Sequence, residues 1–165
     1  MPKRRPYLPD LLRPGLDLVI VGFNPGAVSA ARGHYYAKPG NQFYPLLFRS
    51  GLTPRLLSPD EDRALPSFGI GLVDLCPWRA GQSDILTGRD ISTGRRLLLK
   101  KLQKAAPGAV AFNGLTLARH VLGGISGRIW ESAVFALPST SGLVNGRWKE
   151  RERAFRDMAV RLKAR

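Results

Sequence analysis

The sequence is poor in the residues that build metal cages and disulfide frameworks. Its 165 residues include one cysteine, Cys76, which excludes a disulfide within the chain and a cysteine-rich zinc or iron–sulfur site. The two histidines, His34 and His120, lie far apart and have no recognisable metal-ligand spacing. We therefore expect a protein that uses neither a metal ion nor another cofactor.

Long apolar runs and phosphate-binding loops are also missing. No segment approaches the roughly 20 apolar residues of a membrane span, and residues 1–6 lack the apolar core of a signal peptide. No GxxxxGK[ST] or GxGxxG pattern follows the first apolar run, which disfavours a nucleotide-binding protein. We expect a cytoplasmic protein with no membrane partner, associated with the nucleoid if its source is bacterial.

Acidic residues are scarce beside basic ones. Lysine and arginine total 26 against 12 for aspartate and glutamate, which gives a formal net charge of +14. Such an excess favours a polyanionic partner, nucleic acid first, because each neutralised phosphate releases counterions. A basic surface with no such partner is the alternative.

Short apolar runs alternate with helical patterns along the chain. The runs predict strands at residues 16–22, 69–74, 109–112 and 133–137, and the patterns between and after them predict helices at residues 41–50, 92–106, 114–122 and about 147–163. Continuous apolar strands are typical of parallel sheets covered on both faces. We expect one α/β domain over residues 1–165, a three-layer α/β/α sandwich around a mostly parallel sheet of about four strands. Residues 1–14 are expected to form a basic, frayed N-terminal arm.

Each predicted strand is followed by polar or sharply turning residues. They are Asn24, Asp74, the pair Asn113-Gly114, and the segment 139–142. The carboxyl ends of parallel strands meet at one edge of a sheet, where ligands bind in open α/β folds. The sequence therefore predicts a single crevice at that edge.

The turn Gly22-Phe23-Asn24-Pro25-Gly26 is the most informative of these strand ends. It presents one amide on a loop that Pro25 stiffens, an arrangement that can hold a flat heterocycle and a water. Aromatic residues then interleave with turn residues over 33–44, which suits stacking of a planar ring. An ordinary strand-to-helix turn without chemistry is the alternative.

These segments, together with residues 50–53, resemble the mismatch-specific uracil/thymine DNA glycosylases of the uracil-DNA glycosylase superfamily. Residues 137–143 resemble that family's second motif, and the resemblance spans about residues 15–160. It implies excision of uracil, with thymine as a second candidate base, from mismatched double-stranded DNA, notably opposite guanine. The base would be flipped out of the helix and released by hydrolysis of its N-glycosidic bond in base excision repair. Single-stranded DNA is a further candidate substrate, and we expect a monomer.

The resemblance also implies roles for individual residues. Asn24 matches the catalytic asparagine that holds the attacking water, and the backbone near Gly22 and Phe23 would meet the carbonyl edge of the base. Tyr36 aligns with the aromatic residue that stacks on the base, and Ser29 lies near the wall that would meet a C5 substituent.

The second motif implies contacts with DNA. Ser139, Ser141 and Gly142 are placed to contact the phosphates that flank the flipped nucleotide. Leu143 is placed like the family's intercalating wedge, with an ordinary inward-packed leucine as the alternative. Asn145 stands about where an arginine often reads the widowed guanine.

The chain departs from the family pattern at Ser139-Thr140, where Asn-Pro is usual, at Asn145, and at Asp74. Our hypothesis is that Asp74 supplements Asn24 as a second catalytic residue and broadens the substrate range. A structural cap is the alternative role. For the whole chain the alternatives are excision of other deaminated or damaged bases, and a non-catalytic nucleic-acid-binding module.

Overall fold

The computed structural model describes residues 5–123, 129, 131–142 and 146–165. Its described part contains one four-stranded sheet in the order β2-β1-β3-β4, with every neighbouring pair parallel. The strands are β1 (Leu18–Gly22), β2 (Ile70–Asp74), β3 (Ala109–Asn113) and β4 (Ala133–Leu137). The predicted parallel sheet is confirmed, with strand bounds that shift by no more than about two residues.

The strands β1, β2 and β3 are buried on both faces, which explains their uninterrupted apolar runs, whereas the edge strand β4 is only partly buried. Leu18 and Ile20 of β1 face one cluster, whereas Val19 and Val21 face another, as the two-residue period of a strand requires. The first cluster includes side chains of α2 (Phe43–Arg49) and α5 (Trp148–Lys163), and the second those of α3 (Gly88–Ala105) and α4 (Leu115–Leu122). The predicted three-layer α/β/α sandwich is therefore confirmed.

Helix starts are less well predicted than strands. The helix expected from residue 92 begins at Gly88, after a capping box in which Thr87 and Asp90 bond each other's backbone N–H groups at 3.1 Å. Three elements were not expected from the sequence: α1 (Ala27–Arg32) and the short 3-10 helices Pro59–Phe68 and Ser83–Ile85.

The first residues of the described chain pack on the domain. Leu8 is 1% exposed, and Leu11 forms an antiparallel bridge with Leu72 of β2 through hydrogen bonds of 2.9 and 3.1 Å. The backbone N–H of Tyr7 donates to the carbonyl of Pro77 at 2.8 Å. The expectation of a frayed arm is wrong for residues 7–11, because their leucines complete the core beside β2.

Candidate active site

The parallel register aligns the last residues of the strands at one edge of the sheet. Gly22 of β1 lies opposite Asp74 of β2, and Asn113 of β3 lies opposite Leu137 of β4. The polar residues that follow or end the strands therefore share one rim. This is the convergence that the sequence pattern predicts.

Asn24 follows β1 and is held by a neighbouring loop. Its Nδ2 donates to the carbonyl oxygens of Gly81 at 3.0 Å and Arg79 at 3.2 Å. Because carbonyl oxygens only accept, these contacts fix which end of the carboxamide is nitrogen. Both amide hydrogens are thereby engaged, so Oδ1 is the atom of this side chain that can accept a hydrogen bond from a water.

The loop that holds Asn24 is residues 75–81, here called the β2 loop. It runs beside the turn after β1: Leu75 and Cys76 donate their N–H groups to the carbonyls of Gly22 and Phe23, both at 2.8 Å. The N–H of Gly81 donates to the carbonyl of Pro25 at 3.0 Å. These bonds tie the turn to the loop along its whole length. Sequence reasoning missed this loop, although Pro77, three residues after the end of β2, signals a break in regular structure.

The side chain of Phe23 packs on the helical layer behind the rim. Its ring meets that of His120 edge-on, with centroids 5.8 Å apart, and it contacts the cluster that contains α3 and α4. The side chain of Phe23 therefore does not line the predicted base pocket, and its backbone is the part of the residue that can contribute to it.

Asp74 is a buried carboxyl at the end of β2, 4% exposed. Its pKa is raised to about 7, mainly by burial and further by the charge of Asp10, with Lys101 acting in the opposite direction. Its Oδ2 has no hydrogen-bond partner among the described residues.

Gly22 shows how closely polar groups approach this point of the rim. A Cβ on Gly22 would lie 2.5 Å from Oδ1 of Asp74 and 3.0 Å from the hydroxyl of Tyr36. Only glycine therefore leaves room for these two groups, which the sequence places 38 residues apart.

Tyr36 has a left-handed backbone, with φ of 54°, and is clamped on both sides. The N–H of Tyr35 donates to Oδ2 of Asp62 at 2.9 Å, and the N–H of Ala37 donates to Oγ of Ser29 at 3.0 Å. A non-glycine residue in this region is strained by about 1–3 kcal/mol and persists only where its surroundings hold it. Ser29 is 5% exposed, so its visible role is to hold this segment.

The ring of Tyr36 stacks on Phe43, with centroids 4.0 Å apart and an interplanar angle of 29°. Its hydroxyl is buried and has no hydrogen-bond partner in the described chain. Burial raises the pKa of Tyr36 above its usual value and Asp74 adds to the rise, while Asn113 lowers it. Both polar atoms of the Asn113 side chain are already bonded to Thr140, at 3.0 and 3.1 Å.

The segment after β4 is anchored from α5. Arg151 is 1% exposed; it donates to the carbonyl of Ser141 at 2.9 Å and to the side-chain oxygen of Gln42. Oγ of Ser139 accepts the N–H of Ser141 at 3.2 Å. A Cβ on Gly142 would lie 3.0 Å from the carbonyl of Gly40, so the two loops touch.

Two predicted DNA contacts, Leu143 and Asn145, lie outside the described residues. Sequence reasoning missed Arg151 and Asp62. The helical spacing of Arg151 from Trp148, Phe155 and Met158 is the signal that could have found it, because it places Arg151 on the apolar stripe of α5. Asp62 lies in an acidic segment typical of surfaces.

The described chain also contains a groove that borders this rim at Tyr36. A groove of about 500 Å³ opens beside residues 36–41, and its lining includes Tyr36 but neither Asn24 nor Asp74. Within the described ranges, no group of three or more metal-ligating side chains is present, and no helix is both long and apolar enough to cross a bilayer.

Comparison with known proteins gives two findings. The family model described as the uracil DNA glycosylase superfamily matches residues 9–163. The solution NMR structure of a candidate uracil DNA glycosylase from Methanosarcina acetivorans is similar, with a TM-score of 0.63 and 21% identity over 97% of this chain and 98% of that one. At this identity the second finding bears on the fold alone, and it agrees with the sandwich described above.

Proposed function

The chain belongs to the uracil DNA glycosylase superfamily, and from that membership we propose that it excises uracil from mismatched double-stranded DNA, notably opposite guanine, in base excision repair. The observation that carries the proposal is the Asn24 carboxamide, whose nitrogen is fixed by two carbonyls. It stands on the same rim as the Asp74 carboxyl and the clamped Tyr36. Thymine is the second candidate base, and single-stranded DNA the second candidate form of the substrate.

In the proposed reaction a water attacks the anomeric carbon while the N-glycosidic bond breaks and its electron pair leaves with the base. Asn24 accepts a hydrogen bond from that water through Oδ1 and so orients it. An amide cannot take up the proton as a carboxylate can, so Asn24 positions the water and does not act as a base.

Asp74 supplies the missing acceptor in this scheme. Its pKa of about 7 means that the carboxyl is partly ionised at neutral pH. A pKa near the working pH is also the value that best suits proton transfer. Its carboxylate takes the proton of the water and stabilises positive charge on the sugar. Such a base contributes typically about 10²–10⁴-fold to a rate.

The base-binding part of the proposal rests on Tyr36. One face of its ring is stacked on Phe43, so a flipped base has the opposite face for stacking. The backbone of Gly22 and Phe23 would meet the carbonyl edge of the base. Ser29, bonded to Ala37, would influence thymine tolerance through the position of that segment.

DNA is the partner that membership of the family implies, and the net charge of +14 fits it. We propose that Ser139, Ser141 and Gly142 contact the phosphates beside the flipped nucleotide, that Leu143 fills the gap, and that Asn145 faces the opposite base. Binding should weaken steeply with salt because neutralised phosphates release counterions. We also propose that the protein acts in the cytoplasm and as a monomer. Sedimentation of the free chain and of its DNA complex would test the monomeric state.

Single-turnover excision from U·G, U·A, T·G and single-stranded uracil substrates tests the function. We expect uracil release that is fastest from U·G and falls to a slow residual rate in Asn24→Ala, with that variant still folded and still binding DNA. Uracil release unchanged in Asn24→Ala would overturn the proposal, and no release by the wild type would leave a nucleic-acid-binding module.

The placement of Asp74 favours a wider set of substrates as a second candidate function. The wild type should then excise hypoxanthine or xanthine from duplexes. In Asp74→Asn the excision of these bases should fall more than the excision of uracil. Full activity of Asp74→Asn on uracil would remove Asp74 from the mechanism. Borohydride trapping should capture no protein–DNA adduct, because water and not an amine is the proposed nucleophile.

A further inference from the structure

The orientation of Asn24 depends on a loop that must itself be fixed. The turn after β1 sets the backbone of Asn24, but its side chain can still rotate and present either end of the carboxamide. The carbonyls of Arg79 and Gly81 select one orientation. Whatever holds the β2 loop therefore decides whether Asn24 offers an oxygen or a nitrogen to the water.

Asp90 holds that loop. It is 1% exposed at the start of α3; its Oδ1 accepts from Nε1 of Trp78 at 3.0 Å and its Oδ2 from Nε of Arg79 at 3.1 Å. Its backbone carbonyl also accepts from Sγ of Cys76 at 3.3 Å. One buried residue thus receives bonds from three side chains of the β2 loop.

Asp90 is in turn fixed by the helix that carries it. Its carboxylate accepts the N–H and the hydroxyl of Thr87, at 3.1 and 3.0 Å, and its own N–H donates to that hydroxyl. Hydrogen bonds to an ionised acceptor are about twice as strong as neutral ones. The connection from α3 to the β2 loop is therefore stiff.

We propose that Asp90 is a positioning residue that fixes the orientation of the Asn24 carboxamide through the β2 loop. The contacts run from Asp90 to Trp78 and Arg79, from the loop carbonyls to Nδ2 of Asn24, and from Gly81 back to the turn. The kinetic consequence rests on the proposed function of Asn24, whereas the structural consequence does not.

The structural test is the ¹H–¹⁵N spectrum of the Asn24 carboxamide, assigned by its loss in Asn24→Ala. In Asp90→Asn the substituted amide brings hydrogens toward donors that need an acceptor, so the loop should loosen. Exchange of the Asn24 amide hydrogens with water should then rise at least about tenfold. Arg79→Met and Trp78→Phe each remove one of the side-chain bonds to the Asp90 carboxylate and should raise this exchange rate less. If Asp90→Asn does not fold, these two variants test the inference in its place.

Glu61→Gln is the matched control, because it changes the acid of a capping box in the 3-10 helix after Ser58, away from the β2 loop. It should leave the Asn24 signals and the excision rate unchanged. An unchanged Asn24 carboxamide in the Asp90 and Arg79 variants would refute the inference.

The kinetic test is single-turnover excision at saturating enzyme. Misplacement of a reacting group by a remote change costs up to about 100-fold, so Asp90→Asn should lower the maximal rate roughly 10- to 100-fold while affinity for DNA changes little. In an Asn24→Ala background the Asp90 change should lower the remaining rate no further. Equal rate losses in both backgrounds would show general destabilisation and contradict the inference. If Asn24→Ala alone kept full activity, the proposed function would fail and the spectra would still decide the role of Asp90.

Discussion

Replacing Asp74 with asparagine should make the protein more stable at neutral and alkaline pH. Burial raises the pKa of this carboxyl from 3.8 to about 7. Between those values the folded chain holds a proton that the unfolded chain has released, so the free energy of unfolding falls as pH rises. At 1.36 kcal/mol per pKa unit the full loss is about 4 kcal/mol, reached above pH 7. An asparagine of the same shape does not titrate and avoids this loss.

Urea unfolding followed by tryptophan fluorescence between pH 4 and 8.5 measures the effect. The difference between Asp74→Asn and the wild type should grow with pH by up to about 4 kcal/mol. Asp84→Asn, which changes an exposed carboxyl, should follow the wild-type curve. A difference that stays constant with pH, or that shrinks as pH rises, would refute the reasoning. Activity should move the other way, with excision at pH 7 slowed by about 10²–10⁴-fold.

Three further predictions concern the packing around the rim. Gly22→Ala should destabilise the fold by about 1–3 kcal/mol and impair excision, because its Cβ would meet Asp74 at 2.5 Å; an unchanged melting temperature would contradict this. Tyr36→Phe should lower the free energy of unfolding in urea less than Tyr44→Phe, because the Tyr36 hydroxyl has no partner in the described chain. Tyr44→Phe removes a hydroxyl bonded to a carbonyl at 2.7 Å and should cost about 1 kcal/mol. The opposite order of the two losses would contradict this prediction. Arg151→Met should cost about 2 kcal/mol and weaken DNA binding, measured by thermal melting and by titration with labelled duplex. Full affinity in a folded variant would separate Arg151 from the DNA-binding loop.

The sheet could be predicted because its signals are local. Strands buried on both faces require unbroken apolar runs, and such runs are visible at residues 69–74 and 109–112 without any tertiary information. The shared rim followed from the same signals, because parallel strands end at one edge. Asn24 and Asp74 could therefore be assigned to one site before their surroundings were known.

The supports of the site could not be predicted in this way. Arg151 bonds the side chain of Gln42 across 109 positions, and Asp62 bonds the backbone of Tyr35 across 27. In the sequence Asp62 resembles a surface residue. The spacing of Arg151 places it on the apolar stripe of α5, but only the fold shows which groups its guanidinium bonds. Asp90 is hard to find for a further reason. Its capping box has aspartate where glutamate or glutamine is usual, so the sequence pattern predicts a start of α3 at residue 92, four residues after the observed one.

The bridge between Leu11 and Leu72 has a consequence for handling the protein. β2 is an edge strand, and an uncovered edge offers backbone N–H and C=O groups to any passing chain. Leu11 occupies such groups at the middle of β2, and Leu8 covers the apolar surface nearby. A chain shortened to begin after residue 11 would therefore be prone to edge-to-edge aggregation.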